Sequence, residues 1–387
     1  MSDGAVAVSD GRIVAVGSTK EVTGKVDRSY EVIDVSGRLV TPGLIDPHVH
    51  LVFAGWREGE LEDMAVRRVP YLEIKKKGGG MPTTLRKTGE ATTDELLEKT
   101  GRVLDRMLSY GTTTIEAKSG YEMTFKGEIR QLEIIAKLAR SHPIGIVPTF
   151  LAQGIPFGYE DKVDQLTDEI ATKWLPEIAR RKLAEYCDVF CERGYFDLDQ
   201  TRKIMEMGRK LGMKLRIHAD WLAHSGGAEL GSELGVISAD HLIFTPKDEI
   251  GALVKRGVMG VFLPTTPFAY LGTYADARGI IEAGLPVALG TDLSAADMCE
   301  SMQMMMAIAV LQMRMTTEEA LVASTLNAAH SIQRAGEIGS LEVGKVADIV
   351  VFEAPNHRHF AYHYGVNLAE RVFKRGRLVA ERGRRVG

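Results

Sequence analysis

Short apolar runs rich in β-branched residues alternate with longer stretches of helical periodicity through the middle of the chain, as a parallel α/β fold requires. Eight such runs read as strands: GLIDPHVHL from Gly43, GTTTIEA from Gly111, IGIVPTFL from Ile144, CDVFCE from Cys187, KLRIHA from Lys214, VISADHL from Val236, VMGVFLP from Val258 and PVALGTD from Pro286. Eight parallel strands with helices between them predict an α/β fold closed into a (β/α)8 TIM barrel. The stretches Asp94 to Ser109, Gly127 to Arg140, Asp168 to Leu183, Asp199 to Leu211 and Thr317 to Ala329 carry apolar residues at three- and four-residue spacing, and predict outer helices. The two ends of the chain differ. VAVSDGRIVAVG and YEVIDVSGRLV at the start, and VADIVVFE and ERVFKRGRLVAERG at the finish, read as strands and tight turns. They predict a small β-sandwich-like domain built from residues 1–41 and 345–387, leaving 42–344 to the barrel. The run KKKGGG, Lys75 to Gly80, joins charge to glycine and is read as a mobile loop after the first barrel strand.

Composition narrows the class without changing the fold. Hydrophobic residues make up 45% of the 387 and charged residues 26%, as in an ordinary soluble globular protein. Forty-eight basic against 52 acidic residues leave a formal charge of -4, which argues against nucleic acid as a partner. The start, MSDGAVAVSDGRIVAVG, has no cationic and apolar leader, and no segment has the roughly 18 consecutive apolar residues needed to span a bilayer. The expectation is a cytoplasmic protein without a membrane partner. Cys187, Cys191 and Cys299 form no CxxC pair, so reduced thiols are expected.

The candidate chemistry lies at the ends of the strands. His48 and His50 are two apart on the first strand, and alternation puts both side chains on one face. That pair is either half of a metal site or two histidines facing solvent at a strand end. His218 ends the fifth run, His241 the sixth and Asp292 the eighth, and barrel enzymes gather their catalytic groups at those C-terminal ends. Five such residues on one rim favour a centre for Zn²⁺ or Fe²⁺, either of which accepts imidazole and carboxylate ligands.

PGLIDPHVH at Pro42 to His50, IHAD at Ile217 to Asp220, SADH at Ser238 to His241, TD at Thr291 to Asp292 and the later GKVADIVVFE resemble the amidohydrolase superfamily. LVFAGWREGELE from Leu51, YLEIKKKGGG from Tyr71, EAKSGY from Glu116, TFL from Thr149 and DVFCERGYF from Asp188 resemble, more narrowly, the imidazolonepropionases of histidine degradation. That likeness implies one divalent ion, zinc or iron, held by His48, His50, His218 and Asp292, with His241 beside the attacking water. Asp292 would take the proton of that water and pass it to the departing nitrogen, with His241 as partner in the transfer or in stabilising the oxyanion. The implied reaction converts 4-imidazolone-5-propanoate and water to N-formimino-L-glutamate. The implied substrate is a small molecule with a carboxylate, for which Arg57 matches the family's carboxylate-binding arginine. Tyr71 and Tyr121 match its substrate-lining tyrosines. The resemblance also implies a homodimer, and a chain that starts near the second or third strand of the usual small domain, which is then small or truncated.

The sequence departs from the pattern at three places that bear on substrate. Trp221 follows IHAD where the family has Gln or Glu; TFL is followed by AQGIP, with Gln153 in place of a histidine; and Asp292 is followed by LSAAD, with Ser294 as a possible donor, in place of an Asn-Pro-Gly turn. Trp221 offers one donor and no acceptor. These departures keep open another small cyclic amide, lactam or acylated amino acid as substrate. A ring deaminase is disfavoured by the missing Glu after IHAD, and a non-catalytic barrel by the presence of every ligand. The fourth run ends in Glu192 rather than in a lysine that would serve a second metal. Glu192 either orients a neighbour or satisfies backbone groups. Met302, Met304, Met305 and Met306 read as core packing, GAELGSELG carries no phosphate fingerprint, and His357, His359 and His363 read as a solvated loop.

Overall fold

The structure, a computed structural model, describes residues 1–69, 73–74, 77–270 and 272–387. Asp10 and Gly11, both at positive φ, close the tight turn between β1 (Gly4–Ser9) and β2 (Arg12–Ser18). The stretch from Tyr30 forms a strand only at β3 (Leu39–Pro42), not along its whole length. Upstream, Val32 lies in solvent and the Asp34 carboxylate takes the backbone N–H and hydroxyl of Ser36 into a local turn that competes with pairing.

From β3 the chain enters the barrel. Its strands are β4 (Leu44–Val49), β5 (Thr112–Lys118), β6 (Gly145–Ala152), β7 (Tyr186–Cys191), β8 (Lys214–Ala219), β9 (Ser238–His241), β10 (Met259–Phe262) and β11 (Val287–Leu289). They are parallel and lie side by side in sequence order, one for each apolar run. Every residue of β4, β5 and β7 is buried, because the interior fills one face and the helices cover the other. The barrel closes beyond the end of β11: Val49 bridges Leu293, His50 donates its N–H to Leu293 at 2.9 Å, and Asp292 donates its own to His48 at 3.2 Å.

After the barrel, β12 (Ile349–Phe352), β13 (Ala369–Lys374), β14 (Arg377–Glu381) and β15 (Arg384–Arg385) join β3 in a five-stranded antiparallel sheet. Val6, Val8, Ile13 and Val16 of the first hairpin pack against Val40, Ile349 and Phe373 of that sheet, so both chain ends share one small core.

The outer helices follow the predicted periodicity at Thr93–Ser109, Phe125–Ser141 and Leu198–Lys210. Reciprocal capping boxes, Thr92 with Glu95 and Asp197 with Gln200, start the first and the last of these. Two helices differ from expectation. The one expected over 168–183 begins at Val163, passes through a π turn at Ile170–Trp174 and resumes at Leu175–Arg180. Pro176 has no N–H to give the preceding turn, and the extra residue absorbs the misfit. The one expected over 317–329 breaks into Thr317–Ala323 and Leu326–Ser331, because the Ser324 carbonyl turns away to accept the Ile45 N–H of β4 at 2.9 Å. Of the four methionines expected in the core, Met302, Met305 and Met306 are buried there and Met304 is half-buried against it. Of the KKKGGG run, Lys77 to Gly80 form a turn whose Gly80 N–H donates to Glu60 at 2.6 Å; Lys75 and Lys76 lie outside the described residues. Among the described residues, no helix is long and apolar enough to cross a membrane.

Candidate metal centre and active site

Strand alternation and barrel closure together assemble the centre. His48 on β4 and His50 just beyond it face the interior with His218 of β8, and their ring centroids lie 4.5 to 5.7 Å apart. The Nε2 atoms of His48 and His50 are 3.3 Å apart, and Asp292 Oδ1 lies 3.4 and 3.2 Å from them. Two donors each about 2.1 Å from a common ion at a tetrahedral angle are about 3.4 Å apart, so this spacing fits one ion. The tightest cluster is the three imidazoles, with Asp292 against two of them. Among the described residues, no other cluster of three or more potential ligands is drawn close enough to hold an ion, His357, His359 and His363 included.

Two buried carboxylates fix the orientation of two of these rings, one each. His48 Nδ1 donates to Asp240 Oδ2 at 2.7 Å, and His218 Nδ1 to Asp188 Oδ1 at 3.1 Å. With Nδ1 protonated, Nε2 is left as the lone pair that a metal takes. His218 Nε2 is buried with no hydrogen-bond partner among the described residues, a vacancy that an ion would satisfy. Burial, reinforced by the Lys118 charge, holds His48 well below the usual imidazole range, so it stays neutral. Burial likewise pushes His241 down to about 3, against the pull of Asp292. Asp292 resists the cost of its own burial because the His50 hydrogen bond and the surrounding imidazoles hold its carboxyl well below the usual range. The donor set, three imidazoles and a carboxylate, therefore suits a divalent cation.

The strand ends here are strained. Asp220, His241 and Asp292 all sit at positive φ, at 55°, 78° and 51°. Each is pinned. Asp220 accepts from Ser225 N–H and from Thr245 Oγ1, both at 2.7 Å, and the Thr266 hydroxyl donates to Asp292 Oδ2 at 2.6 Å. The residue before Asp292 is anchored to the first strand, since Thr291 donates its N–H at 3.1 Å and its hydroxyl at 2.5 Å to Asp46.

The expected substrate residues are placed unevenly. Trp221 stacks on His241 with centroids 5.4 Å apart and planes 27° from parallel, and lies 5.5 Å from Phe190. Glu192 Oε2 accepts the backbone N–H groups of Trp221 and Leu222 at 2.9 Å each, so of its two readings it is the holder of backbone that the geometry displays. Tyr121 is buried 5.8 Å from the His50 ring, its hydroxyl accepting the Ala295 N–H at 3.4 Å. Arg57 is buried beyond β4, where its charge acts on Tyr121 and on Asp297. Gln153 is buried at the end of β6 against Gly120, where a Cβ would meet its Oε1 at 2.3 Å, so that glycine at φ +129° admits the amide. Ser294 Oγ accepts the N–H groups of Ala296 and Asp297, both at 3.2 Å, and so shapes its own turn. Tyr71 lies outside the described residues.

Sequence reasoning missed Asp188, Asp240, Lys118, Arg216, Thr266 and Asp297. The first four are buried charges on β7, β9, β5 and β8. Asp240 and Arg216 share strands with His241 and His218, while Asp188 and Lys118 lie within the DVFCERGYF and EAKSGY motifs. Asp297 is buried in the turn after Asp292, and burial, then the Asp292 charge, pushes its carboxyl well above the usual range despite Arg57.

A barrel with clustered imidazoles on its C-terminal rim defines a class of metal-dependent hydrolase, and the sequence profile of the amidohydrolase family matches residues 39–379. A profile of the bacterial imidazolonepropionase-like composite domain matches residues 4–24. The chain is 47% identical to the imidazolonepropionase of Alkaliphilus oremlandii, over 99% of its length and 92% of the relative. It is 45% identical to that of Alkaliphilus metalliredigens and 46% to that of Geobacillus thermodenitrificans, with the same coverage. Solved structures share the fold: a zinc-bound adenosine deaminase from Xanthomonas campestris (TM-score 0.74, 19% identity, 99% of this chain and 90% of that one) and a guanine deaminase from E. coli (0.68, 17%, 98% and 93%). The chain belongs to the amidohydrolase family and, within it, to the imidazolonepropionases.

Proposed function

We propose that the protein hydrolyses the ring amide of 4-imidazolone-5-propanoate to N-formimino-L-glutamate, a step of histidine degradation, with one zinc or iron ion held by His48, His50, His218 and Asp292. The observation that carries this reading is the imidazole trio with the Asp292 carboxylate against it, in a chain that aligns nearly end to end with imidazolonepropionases. Charge supports a single ion. The connected buried ion pairs comprise four acids, Glu116, Asp188, Asp240 and Asp292, and two bases, Lys118 and Arg216. Taken at formal charge with neutral imidazoles, four against two leaves -2, which one divalent cation cancels and two would overshoot.

When bound, the ion lowers the pKa of water toward about 7 and polarises the amide carbonyl. The protein's own groups do the rest. The ionised Asp292 accepts the proton of the attacking water as the new C–O bond forms, and returns it to the ring nitrogen as the C–N bond breaks. Thr266 keeps one Asp292 oxygen occupied, so the other faces the imidazoles. A His241 pKa of about 3 leaves no imidazolium at neutral pH, which favours a neutral hydrogen-bonding role at the developing oxyanion over that of a charged acid. Arg57 binds the propanoate. Trp221, already stacked on His241, offers its face to the substrate ring.

The test is loss of the substrate's ultraviolet absorbance on adding metal-loaded protein, with chelator-stripped protein as control. Turnover is expected only with metal, and His218→Ala or Asp292→Ala should abolish both metal content and turnover. Cleavage of other cyclic amides without cleavage of this one would reject the substrate. The active form is taken to be a homodimer, as the resemblance implies, which light scattering on the eluting protein checks.

A further inference from the structure

The two carboxylates that orient the imidazoles are not independent of each other. Lys118, fully buried at the end of β5, reaches across the barrel interior to β7 and β9. Its Nζ lies 2.8 Å from Asp188 Oδ2, 3.0 Å from Glu116 Oε1 and 3.9 Å from Asp240 Oδ2. Asp188 thus has one oxygen on Lys118 and the other on His218 Nδ1, which leaves the carboxylate a single usable rotamer. Asp240 is held on the same plan: Oδ1 by Ser238, and Oδ2 by His48 Nδ1 and by Arg216, whose guanidinium is itself fixed by the carbonyls of Pro47 and Ser331. Arg216 touches only one of the two orienting carboxylates. Lys118 is within ion-pairing distance of both.

We propose that Lys118 is a positioning residue of the metal centre, one buried cation that sets the orientation of His48 and His218 together through Asp240 and Asp188. This rests on the reading of the centre given above. A buried lysine whose only task was to neutralise charge could pair with either acid from any direction. Here its position decides which Asp188 oxygen faces His218, and it places a second positive charge 3.9 Å from the Asp240 oxygen that His48 and Arg216 share. Outer groups of this kind govern metal affinity as well as activity.

The experiment compares wild-type protein with Lys118→Met, which keeps the length of the side chain and removes the charge. Metal affinity is measured by chelator competition, and ligand geometry by the visible spectrum of the cobalt(II)-loaded protein. Lys118→Met is expected to remain folded by circular dichroism, to bind cobalt about 10- to 100-fold more weakly and to show a shifted spectrum. A lysine important only for stability would lower the melting temperature and leave both readings alone. Cobalt affinity within twofold of wild type with an unchanged spectrum therefore overturns the proposal. Should Lys118→Met fail to fold, Asp188→Asn, Asp240→Asn and the double variant decide. A shared cation makes their losses of affinity non-multiplicative, because neutralising one acid releases Lys118 to the other. Losses that multiply within twofold overturn the proposal. If wild-type protein takes up no cobalt, the reading of the centre itself falls; wild-type uptake with an unaffected Lys118→Met removes only the role of the lysine.

Discussion

Arg57 and Trp221 divide the substrate between them, and their substitutions should fail in different ways. A charge-assisted hydrogen bond lost from a propanoate removes about 1.5 to 3 kcal/mol, roughly 10- to 100-fold in affinity. Arg57→Ala is expected to raise KM by that factor with kcat nearly kept, because the carboxylate is bound alike in ground and transition states. Trp221→Ala instead takes away the face on which His241 is stacked at 5.4 Å, so kcat is expected to fall about tenfold, and Trp221→Phe to restore most of it. Steady-state kinetics of the three variants separate the two behaviours, and an unchanged kcat for Trp221→Ala would sink the stacking role. At this scale the sequence was legible wherever chemistry coincides with a strand end: all five rim residues gather at one centre. The buried charges carried a signal that the reading passed over, since a charge at even spacing from another polar residue inside an apolar run demands a partner. Glu116 and Lys118 on β5, and Arg216 and His218 on β8, show that spacing. The stacking of Trp221 was not legible, because it depends on Asp220 at φ 55° turning the chain back over the rim.

Among the elements, the helix Phe125–Ser141 does more than cover the barrel. Its Glu128 accepts the N–H groups of Met123 and Glu122 at 2.7 and 3.2 Å, and its Gln131 accepts that of Tyr121 at 3.3 Å, so the helix pins the loop that carries Tyr121. Burial pushes the Glu128 carboxyl up to about 7, although hydrogen bonds from Ser119 and the loop resist. A folded-state pKa above the unfolded value of about 4.5 means that the native protein holds a proton the unfolded chain has lost, so this contribution is full below pH 4.5 and is lost as pH rises through 7. Over that interval it amounts to about 3 kcal/mol. Glu128→Gln has no such proton to lose. Urea unfolding at pH 5 and pH 8 should show the wild type losing stability relative to this variant as pH rises; a constant difference would refute the assignment. Periodicity located these helices, and capping residues their starts. It could not foresee the π turn before Pro176 or the break at Ser324, since one answers a missing N–H and the other a carbonyl borrowed by β4. The strand expected from Tyr30 was overcalled for a related reason: side-chain turns outbid pairing until Leu39.

For the whole molecule, the centre and the barrel seam are one structure. The last strand does not pair along its length with the first; the seam is made by Val49 with Leu293 and by the backbone bonds of His48 and His50 to Asp292 and Leu293. Three of the four proposed ligands therefore stand on the two segments that close the barrel, and only His218 comes from the far side. Eight strands in sequence order were readable from the apolar runs, whereas the place of closure was not, because it follows from how the barrel's twist brings its two ends together. An ion held across that seam binds the closed state and not the open chain, so it should stabilise the fold by mass action, by about 4 kcal/mol at a thousandfold excess over its dissociation constant. For a chain of this size that corresponds to a rise in melting temperature on the order of 5 °C. Chelator-stripped protein titrated with zinc or iron(II) should show this rise by calorimetry, and the amides of β4 and of residues 291–293 should gain protection from hydrogen exchange in step with it. His50→Ala and Asp292→Ala remove ligands from opposite sides of the seam, and each should abolish the rise and the added protection. A rise of equal size in either variant would mean that the ion binds elsewhere and that the barrel closes without it.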